Sequence, residues 1–270
     1  MDIGMPTLLE TETLADCVAL CRALDLQFIE LNGNFPSYLP ARLDAAALLA
    51  VTEAGGPYFT LHADGFLNPL DFDAEIAAAY RRSLCRSLRL AKAIGAPVVN
   101  LHLPRGDFIT LPDRRVFLYA RYGAEYRRAL LETRALCEDE IAGGPVRVCI
   151  ENTEGWQPHE QEAVALLLES PCFALTMDTG HLHAAGGGDE AFFAAHRGRL
   201  MHMHLHDALG RRNHLALGDG EIDLPARVAL AQDCGCRVVL ETKTAAALRH
   251  SVPALRALLN EEGTRHAAVD

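Results

Sequence analysis

The chain has 270 residues, of which 50% are hydrophobic and 23% are charged, a profile typical of a globular protein with a sizeable core. Its formal net charge of −11 argues against sequence-independent binding of DNA or RNA, because an acidic protein repels phosphates. The first residues lack a signal-peptide pattern, and no stretch approaches the roughly 20 apolar residues of a membrane span. We therefore expect neither a membrane nor a nucleic acid as a partner.

The eight cysteines are scattered along the chain. Cys234 and Cys236 are separated by one residue, which is the wrong spacing for a zinc ribbon, and no second pair accompanies them. Scattered thiols of this kind are typical of buried, reduced cysteines. We therefore predict a cytoplasmic protein.

Short apolar runs rich in β-branched residues alternate with stretches of helical period along the whole chain. The runs predict strands near residues 2–5, 27–31, 57–62, 97–102, 146–151, 172–178, 199–205 and 236–241. The stretches between them predict helices near residues 13–24, 41–54, 73–95, 114–142, 159–169, 189–197, 224–234 and 247–260. Strands that alternate with helices pair in parallel through crossovers, and eight such units favour a closed barrel. We predict an α/β fold, a (β/α)8 TIM barrel that forms one domain over residues 1–270.

Six of the predicted strands end on a residue that can bind a metal, and each of these residues follows a large apolar one. Side chains alternate between the two faces of a strand, so the apolar residue faces the helices and the polar one faces the barrel axis. The six polar residues are His62, His102, Glu151, Asp178, His204 and Glu241. A single inward histidine or glutamate is commonly a hydrogen-bonded structural residue. Six at the carboxyl ends of the strands, where barrel enzymes place their sites, indicate a functional site.

The three carboxylates among these six residues would repel one another unless a cation neutralises them. Mixed aspartate, glutamate and histidine ligands suit Zn, Mn or Co better than Ca. The sequence therefore predicts a divalent metal ion as cofactor.

The segments after the strands add candidates for substrate binding. His181 and His214 lie in these segments, and Arg105 and Arg212 could hold a phosphate or a carboxylate. Trp156 could stack on a sugar ring, although a packing role is equally compatible with its position. Glu30 ends the second predicted strand, from which it could orient a metal ligand. The segment 207–223 is predicted to be one long functional loop.

Five short motifs follow the predicted strands: Ile150-Glu151-Asn152-Thr153, Met177-Asp178-Thr179-Gly180-His181, His204-Leu205-His206-Asp207, His214 with Leu217 to Asp223, and Leu240-Glu241-Thr242. Together they resemble the xylose isomerase-like TIM-barrel superfamily, and the resemblance covers nearly the whole chain. That superfamily includes isomerases and epimerases of sugars and sugar phosphates, together with abasic-site nucleases of the endonuclease IV type.

For the epimerase branch, the resemblance implies one ion held by Glu151, Asp178, His204 and Glu241. It also implies that Glu151 and Glu241 form the acid/base pair and that His181 contacts the substrate. For the nuclease branch, it implies a second metal held by His62 and His102 together with Glu151, and a third held by His181, His214 and an aspartate. Arg212 stands two residues before His214, where that aspartate is expected, so a third ion is not predicted.

The predicted function is that of a metal-dependent isomerase or epimerase acting on a small sugar or sugar phosphate through an enediolate. One alternative is a zinc phosphodiesterase of the endonuclease IV type that acts on abasic DNA. Others are a dehydratase of sugar acids or cyclitols that uses the same enolate chemistry, and a metal-stabilised binding barrel without turnover. The sequence does not identify the sugar, the metal or the oligomer, so a homo-oligomer remains open.

Overall fold

Eight parallel strands close into a barrel in the computed structural model, which describes residues 1–267 and their side chains as far as residue 260. In chain order the barrel strands are β1 (Ile3–Pro6), β2 (Phe28–Asn32), β3 (Tyr58–His62), β4 (Val98–His102), β5 (Arg147–Glu151), β6 (Phe173–Asp178), β7 (Leu200–Leu205) and β8 (Arg237–Leu240). Each strand pairs with the next along the chain, and β8 pairs with β1 to close the barrel. The predicted TIM barrel is therefore confirmed.

Helices connect the strands and surround the barrel. They are α1 (Leu14–Ala23), α2 (Ala45–Glu53), α3 (Ala74–Ile94), α4 (Leu118–Arg121), α5 (Gly123–Ile141), α6 (Pro158–Leu168), α7 (Thr179–Ala184), α8 (Glu190–Ala195), α9 (Leu224–Cys234) and α10 (Ala245–Ala267), with 3-10 turns at Pro36–Tyr38 and Arg197–Arg199. Local sequence sets several of their ends. Thr13 and Asp16 form a capping box at the start of α1, and Gly95 ends α3 in the left-handed conformation.

The main core lies between the barrel and the helices. The apolar residue before each strand-end polar residue belongs to this core and is at most 4% exposed; these residues are Leu61, Leu101, Ile150, Met177, Met203 and Leu240. A second, small apolar cluster of Val98, Cys149 and Ala174 lies on the opposite, inward faces of β4, β5 and β6. This alternation directs the strand-end polar side chains into the barrel mouth.

The predicted helix over residues 114–142 is wrong at its start. Residues Phe108–Thr110 and Arg115–Phe117 form an antiparallel hairpin, and α4 and α5 follow it. Pro112-Asp113 is a turn sequence, and the N–H of Leu111 bonds the carbonyl of Arg114 across it. The turn joins two strands here, so residues 114–117, predicted as the first turn of a helix, belong to the hairpin instead.

The segment 207–223, predicted as one long loop, contains a second hairpin with strands Asp207–Leu209 and Arg212–Leu215. The short helix α7, directly after β6, was also not predicted. Its sequence, Thr179-Gly180-His181, begins with residues of low helix propensity, and tertiary contacts of the barrel mouth stabilise it.

No helix in the described part of the chain combines the length and the apolar character that crossing a membrane requires. All eight cysteines are free thiols. The barrel is one structural unit. The predicted domain covers residues 1–270, and its last three residues lie outside the part of the chain that the structure describes.

Gly4 on β1 provides a test of the barrel packing. It pairs with Phe28, which is fully buried, and a Cβ atom at Gly4 would lie 2.6 Å from the Phe28 ring. Gly4→Ala should therefore lower the free energy of unfolding by about 1–3 kcal/mol, the usual cost of overpacking a core. Urea denaturation measures the change, with Gly188→Ala as control because nothing lies within 4 Å of a Cβ there. Equal stabilities of the two variants would contradict this packing.

Candidate functional site

Four of the predicted ligands meet at the carboxyl ends of consecutive strands. Glu151 ends β5, Asp178 ends β6, His204 lies in β7 and Glu241 directly follows β8. One ligand atom from each lies within 4.8 Å of the others, and none of the four residues is more than 7% exposed. The four residues that the resemblance implied as one ligand set are thus neighbours in space.

The Nδ1 atom of His204 faces all three carboxylates. It lies 3.4 Å from Oε1 of Glu151, 3.3 Å from Oε2 of Glu241 and 3.8 Å from Oδ2 of Asp178. Neither this Nδ1 nor Oε2 of Glu241 has a hydrogen-bond partner among the described residues, although both atoms are buried. An unsatisfied buried polar atom costs about 1–3 kcal/mol, and more when it is charged. A divalent cation among these oxygen and nitrogen atoms would satisfy them, so the donor set fits such an ion.

Glu30 on β2 orients the His204 ring from the opposite side. Its Oε1 lies 2.8 Å from Nε2 of His204, and its Oε2 lies 2.9 Å from Nε2 of His202 and accepts a hydrogen bond from Thr60. Burial alone would raise the pKa of Glu30, but the two histidines hold it well below its ordinary range. The buried anion turns Nδ1 of His204 toward the carboxylates, which is the arrangement that supports metal-ligating histidines.

A second group of residues surrounds the other oxygen of Glu151. His62 Nε2 and His102 Nε2 lie 3.3 and 3.2 Å from Oε2, and Asn100 donates a hydrogen bond to it. Asn100 is itself held by a hydrogen bond from Thr176. Burial would lower the pKa of His62, but its hydrogen bond to Glu151 raises it to about 9. His62 and His102, the predicted ligands of a second metal, therefore both lie against the carboxylate of Glu151.

The charges of the site are interdependent. Burial acts to raise the pKa values of Glu151 and Glu241, but the nearby His204 holds both well below the ordinary glutamate value. The pKa of His204 lies well above its ordinary value because the three nearby glutamates outweigh its burial. Both glutamates are thus carboxylates, the form required of a metal ligand and of a base.

Two further histidines and a lysine lie around the same point. His181 Nδ1, on α7, is 3.9 Å from Oδ2 of Asp178 and 4.0 Å from Oε1 of Glu151, without a hydrogen bond among the described residues. His214 Nδ1 lies 3.8 Å from Oε2 of Glu241, and burial lowers the pKa of His214 to about 4. Lys243 donates to the other oxygen of Glu241 at 2.7 Å.

A cleft of about 970 Å³ opens above the site, and the structure places some of the predicted substrate residues in it and others elsewhere. His181 and Arg105 line the cleft, and Arg105 is paired with Glu154. Arg212 is exposed and is not among the residues that line the cleft; Arg211 and Asn213, on either side of it, are. Side chains alternate along the hairpin strand, which turns Arg212 away.

Trp156 is also absent from the lining of this cleft. It is 8% exposed and packs against Phe192 and Phe193, with ring centroids 5.3 and 5.6 Å away. Trp156 is therefore a packing residue, and its indole ring does not line the cleft. His183 lies at the surface and pairs with Glu221 at 2.9 Å.

Several polar residues that support the site were not predicted from the sequence. Asn152 accepts the N–H of Asp178 and donates to its carbonyl, and Asn100 binds Glu151. Asp207 accepts four backbone N–H groups, those of Ala208, Gly218, Gly220 and Ile222. Asn100 could have been found from its spacing, because it lies two residues before His102 and so on the same face of β4.

A family model described as a xylose isomerase-like TIM barrel matches residues 18–260. The chain belongs to this family. No curated protein sequence matches the chain. The predicted resemblance is thus confirmed for the family as a whole, which contains enzymes of different reactions.

Solved structures with the same fold carry names of different functions. A D-tagatose 3-epimerase-like protein is 19% identical, with a TM-score of 0.78, over 98% of this chain and 99% of that one. The IOLI protein with a bound zinc atom is 16% identical, with a TM-score of 0.70, over 97% and 96%. Endonuclease IV from Thermus thermophilus is 22% identical, with a TM-score of 0.67, over 97% and 100%. At these identities the likeness establishes the fold alone.

The unsatisfied atoms of the site predict that a divalent ion stabilises the protein. After treatment with EDTA, Mn²⁺ or Zn²⁺ at about 100 times its dissociation constant should raise the free energy of unfolding by about 2.7 kcal/mol, because the ion binds only the native state. Thermal melts with and without the ion measure this effect. Glu241→Gln should lose most of the increase, whereas Glu221→Gln, at an exposed glutamate, should keep it. An unchanged melting temperature of the unaltered protein with both ions would contradict the prediction.

Proposed function

We propose that the protein is a metal-dependent isomerase or epimerase of a small sugar or sugar phosphate, acting through an enediolate. The observation that carries the proposal is the placement of two carboxylates around one point. Oε1 of Glu151 and Oε2 of Glu241 lie 3.4 and 3.3 Å from the same His204 nitrogen, on strands that β6 and β7 separate. Two buried bases that reach one point from different sides of a barrel suit the removal of a proton and its return.

Glu151, Asp178, His204 and Glu241 would hold the metal, with Mn, Zn or Co as the candidates that suit these donors. The zinc atom bound in the IOLI structure supports a divalent ion in this fold. When bound, the ion supplies Lewis-acid polarisation of the carbonyl and of the adjacent hydroxyl of an open-chain sugar.

The two glutamates carry out the proton transfers. One removes the proton α to the carbonyl, and the other delivers a proton to the opposite face of that carbon or to the neighbouring carbon. Glu151 is held by Asn100 through Oε2, which leaves Oε1 directed at the site. Glu241 is held by Lys243 through Oε1, which leaves Oε2 directed there. Each carboxylate is thus oriented through one oxygen, and its other oxygen is directed at the point where the metal and the substrate would meet.

The residues at the cleft would bind the rest of the substrate. His181 and His214 lie nearest the two glutamates, where they can bond the hydroxyls flanking the reacting carbon. Arg105 and Arg211 line the cleft and could hold a phosphate, whereas Arg212 is exposed. The proposed partner is thus a small sugar. A cytoplasmic location is also proposed, and the eight free thiols support it.

An abasic-site phosphodiesterase is the second candidate. His62 and His102 against Glu151 favour it, since they could bind a second ion that shares this carboxylate. The fold likeness to endonuclease IV is compatible with it. The net charge of −11 and Arg212 at the position expected for a third-metal aspartate weigh against it.

Deuterium incorporation tests the proton transfer. A panel of ketoses, aldoses and their phosphates, incubated with metal-loaded protein in D2O, should include one sugar that gains deuterium next to its carbonyl. With that sugar and saturating metal, Glu151→Gln and Glu241→Gln should each lower turnover by at least about 10²-fold, because each removes a group that transfers the proton. Glu221→Gln serves as the matched control and should retain activity. Full turnover by either site variant would remove that glutamate from the acid/base role; loss of water rather than a new sugar would identify a dehydratase.

A labelled abasic oligonucleotide separates the two candidate reactions. We expect no metal-dependent cleavage of the duplex with Zn²⁺ or Mn²⁺, because a protein with a net charge of −11 repels the phosphates that a nuclease must hold. Denaturing gels measure the cleavage, and Glu241→Gln shows whether any cleavage comes from a contaminant. Metal-dependent cleavage that this substitution abolishes would favour the phosphodiesterase.

A further inference from the structure

We propose that His206 is a positioning residue that orients the Asp178 carboxylate, and that the backbone of His214 fixes the tautomer with which it does so. The inference rests on the proposed function, because it concerns how one of the four metal ligands is held. His206 lies two residues beyond His204, just after β7, and its side chain is completely buried.

The hydrogen bonds of the His206 ring determine where its proton lies. The backbone N–H of His214 donates to Nδ1 of His206 at 2.7 Å. A backbone N–H can only donate, so Nδ1 accepts in this contact, which is much shorter than the 3.4 Å between Nδ1 and the carbonyl oxygen of Asp207. The ring hydrogen is then on Nε2. Nε2 lies 2.9 Å from Oδ1 of Asp178 and 3.1 Å from Oδ2, so its N–H donates to that carboxylate.

The backbone of His214 is in the conformation that makes this contact. His214 has φ = 56°, in the left-handed region that non-glycine residues seldom adopt and that costs of order 1 kcal/mol or more. Its ring stacks on that of His206, with centroids 4.2 Å apart. The strain is thus located at the residue whose N–H selects the His206 tautomer.

Asp178 is held from a second direction by the start of α7. Its Oδ1 accepts the N–H of His181 at 2.7 Å, as the cap of that helix. Gly180, which precedes His181, lies against the His206 ring, and a Cβ atom there would be 2.0 Å from Cε1 of His206. Glycine at this position therefore allows the helix cap and the His206 ring to reach the same carboxylate.

These contacts predict a change in metal affinity without any change in a ligand. His206→Leu removes the donor to Asp178 and should weaken Mn²⁺ binding by about 10–100-fold, the usual effect of removing a partner of a metal ligand. His206→Gln places an amide N–H near the former Nε2 and should recover a large part of that loss. His183→Leu, at a histidine outside the site, is the matched control and should bind as the unaltered protein does. Calorimetric titration of EDTA-treated protein measures the dissociation constants, and thermal melts without metal report the folding of each variant.

The outcomes separate this inference from the proposed function. If the unaltered protein binds no Mn²⁺ or Zn²⁺, both are overturned. If it binds the ion and folded His206→Leu binds equally well, only the role of His206 is overturned. The ¹⁵N spectrum of the unaltered, histidine-labelled protein gives a test that does not depend on a variant folding. It should show the His206 ring hydrogen on Nε2, and an Nδ1–H tautomer would overturn the inference.

Discussion

Three carboxylates lie buried around one imidazole nitrogen, and the rest of the barrel mouth is arranged around this concentration of charge. Glu151, Asp178 and Glu241 would repel one another in a medium of low polarity, and His204 alone does not balance them. A (β/α)8 barrel can tolerate such a group because each carboxylate is fixed by a different strand end. The movement of a single loop cannot separate the three carboxylates. Their mutual repulsion therefore favours the binding of a cation among them.

Three of the four central groups are each held by a separate polar partner beneath or beside them. Glu30 supports His204, Asn100 supports Glu151, and Lys243 supports Glu241. These partners engage one atom of each group and leave another directed at the centre. The interior of the barrel is therefore a layered polar network above a small apolar base, and the geometry of the site depends on residues that never reach the cleft.

The fold and the central residues could be predicted because they follow from strong periodic signals. The alternation of apolar and polar residues at the ends of the strands identified Glu151 and His204 as inward-facing. Features that depend on tertiary context could not be predicted. Whether residues 114–117 continue a helix or form a strand depends on pairing with Phe108–Thr110, and which of Arg211 and Arg212 lines the cleft depends on the second hairpin, which was predicted as a loop. Trp156 follows a strand end as a sugar-stacking residue would, but the phenylalanines of α8 cover it.

Asp207 has a consequence for how such a site can diversify. Its two oxygens hold four backbone N–H groups from both sides of the second hairpin, so the path of this segment is determined by main-chain bonds to one side chain. The side chains at the tip, such as Arg211 and Asn213, contribute nothing to that path and face the cleft. Mutation can therefore exchange them without displacing His214 or the metal ligands behind it. A single aspartate thus separates the part of the mouth that is constrained by chemistry from the part that is free to evolve toward new substrates.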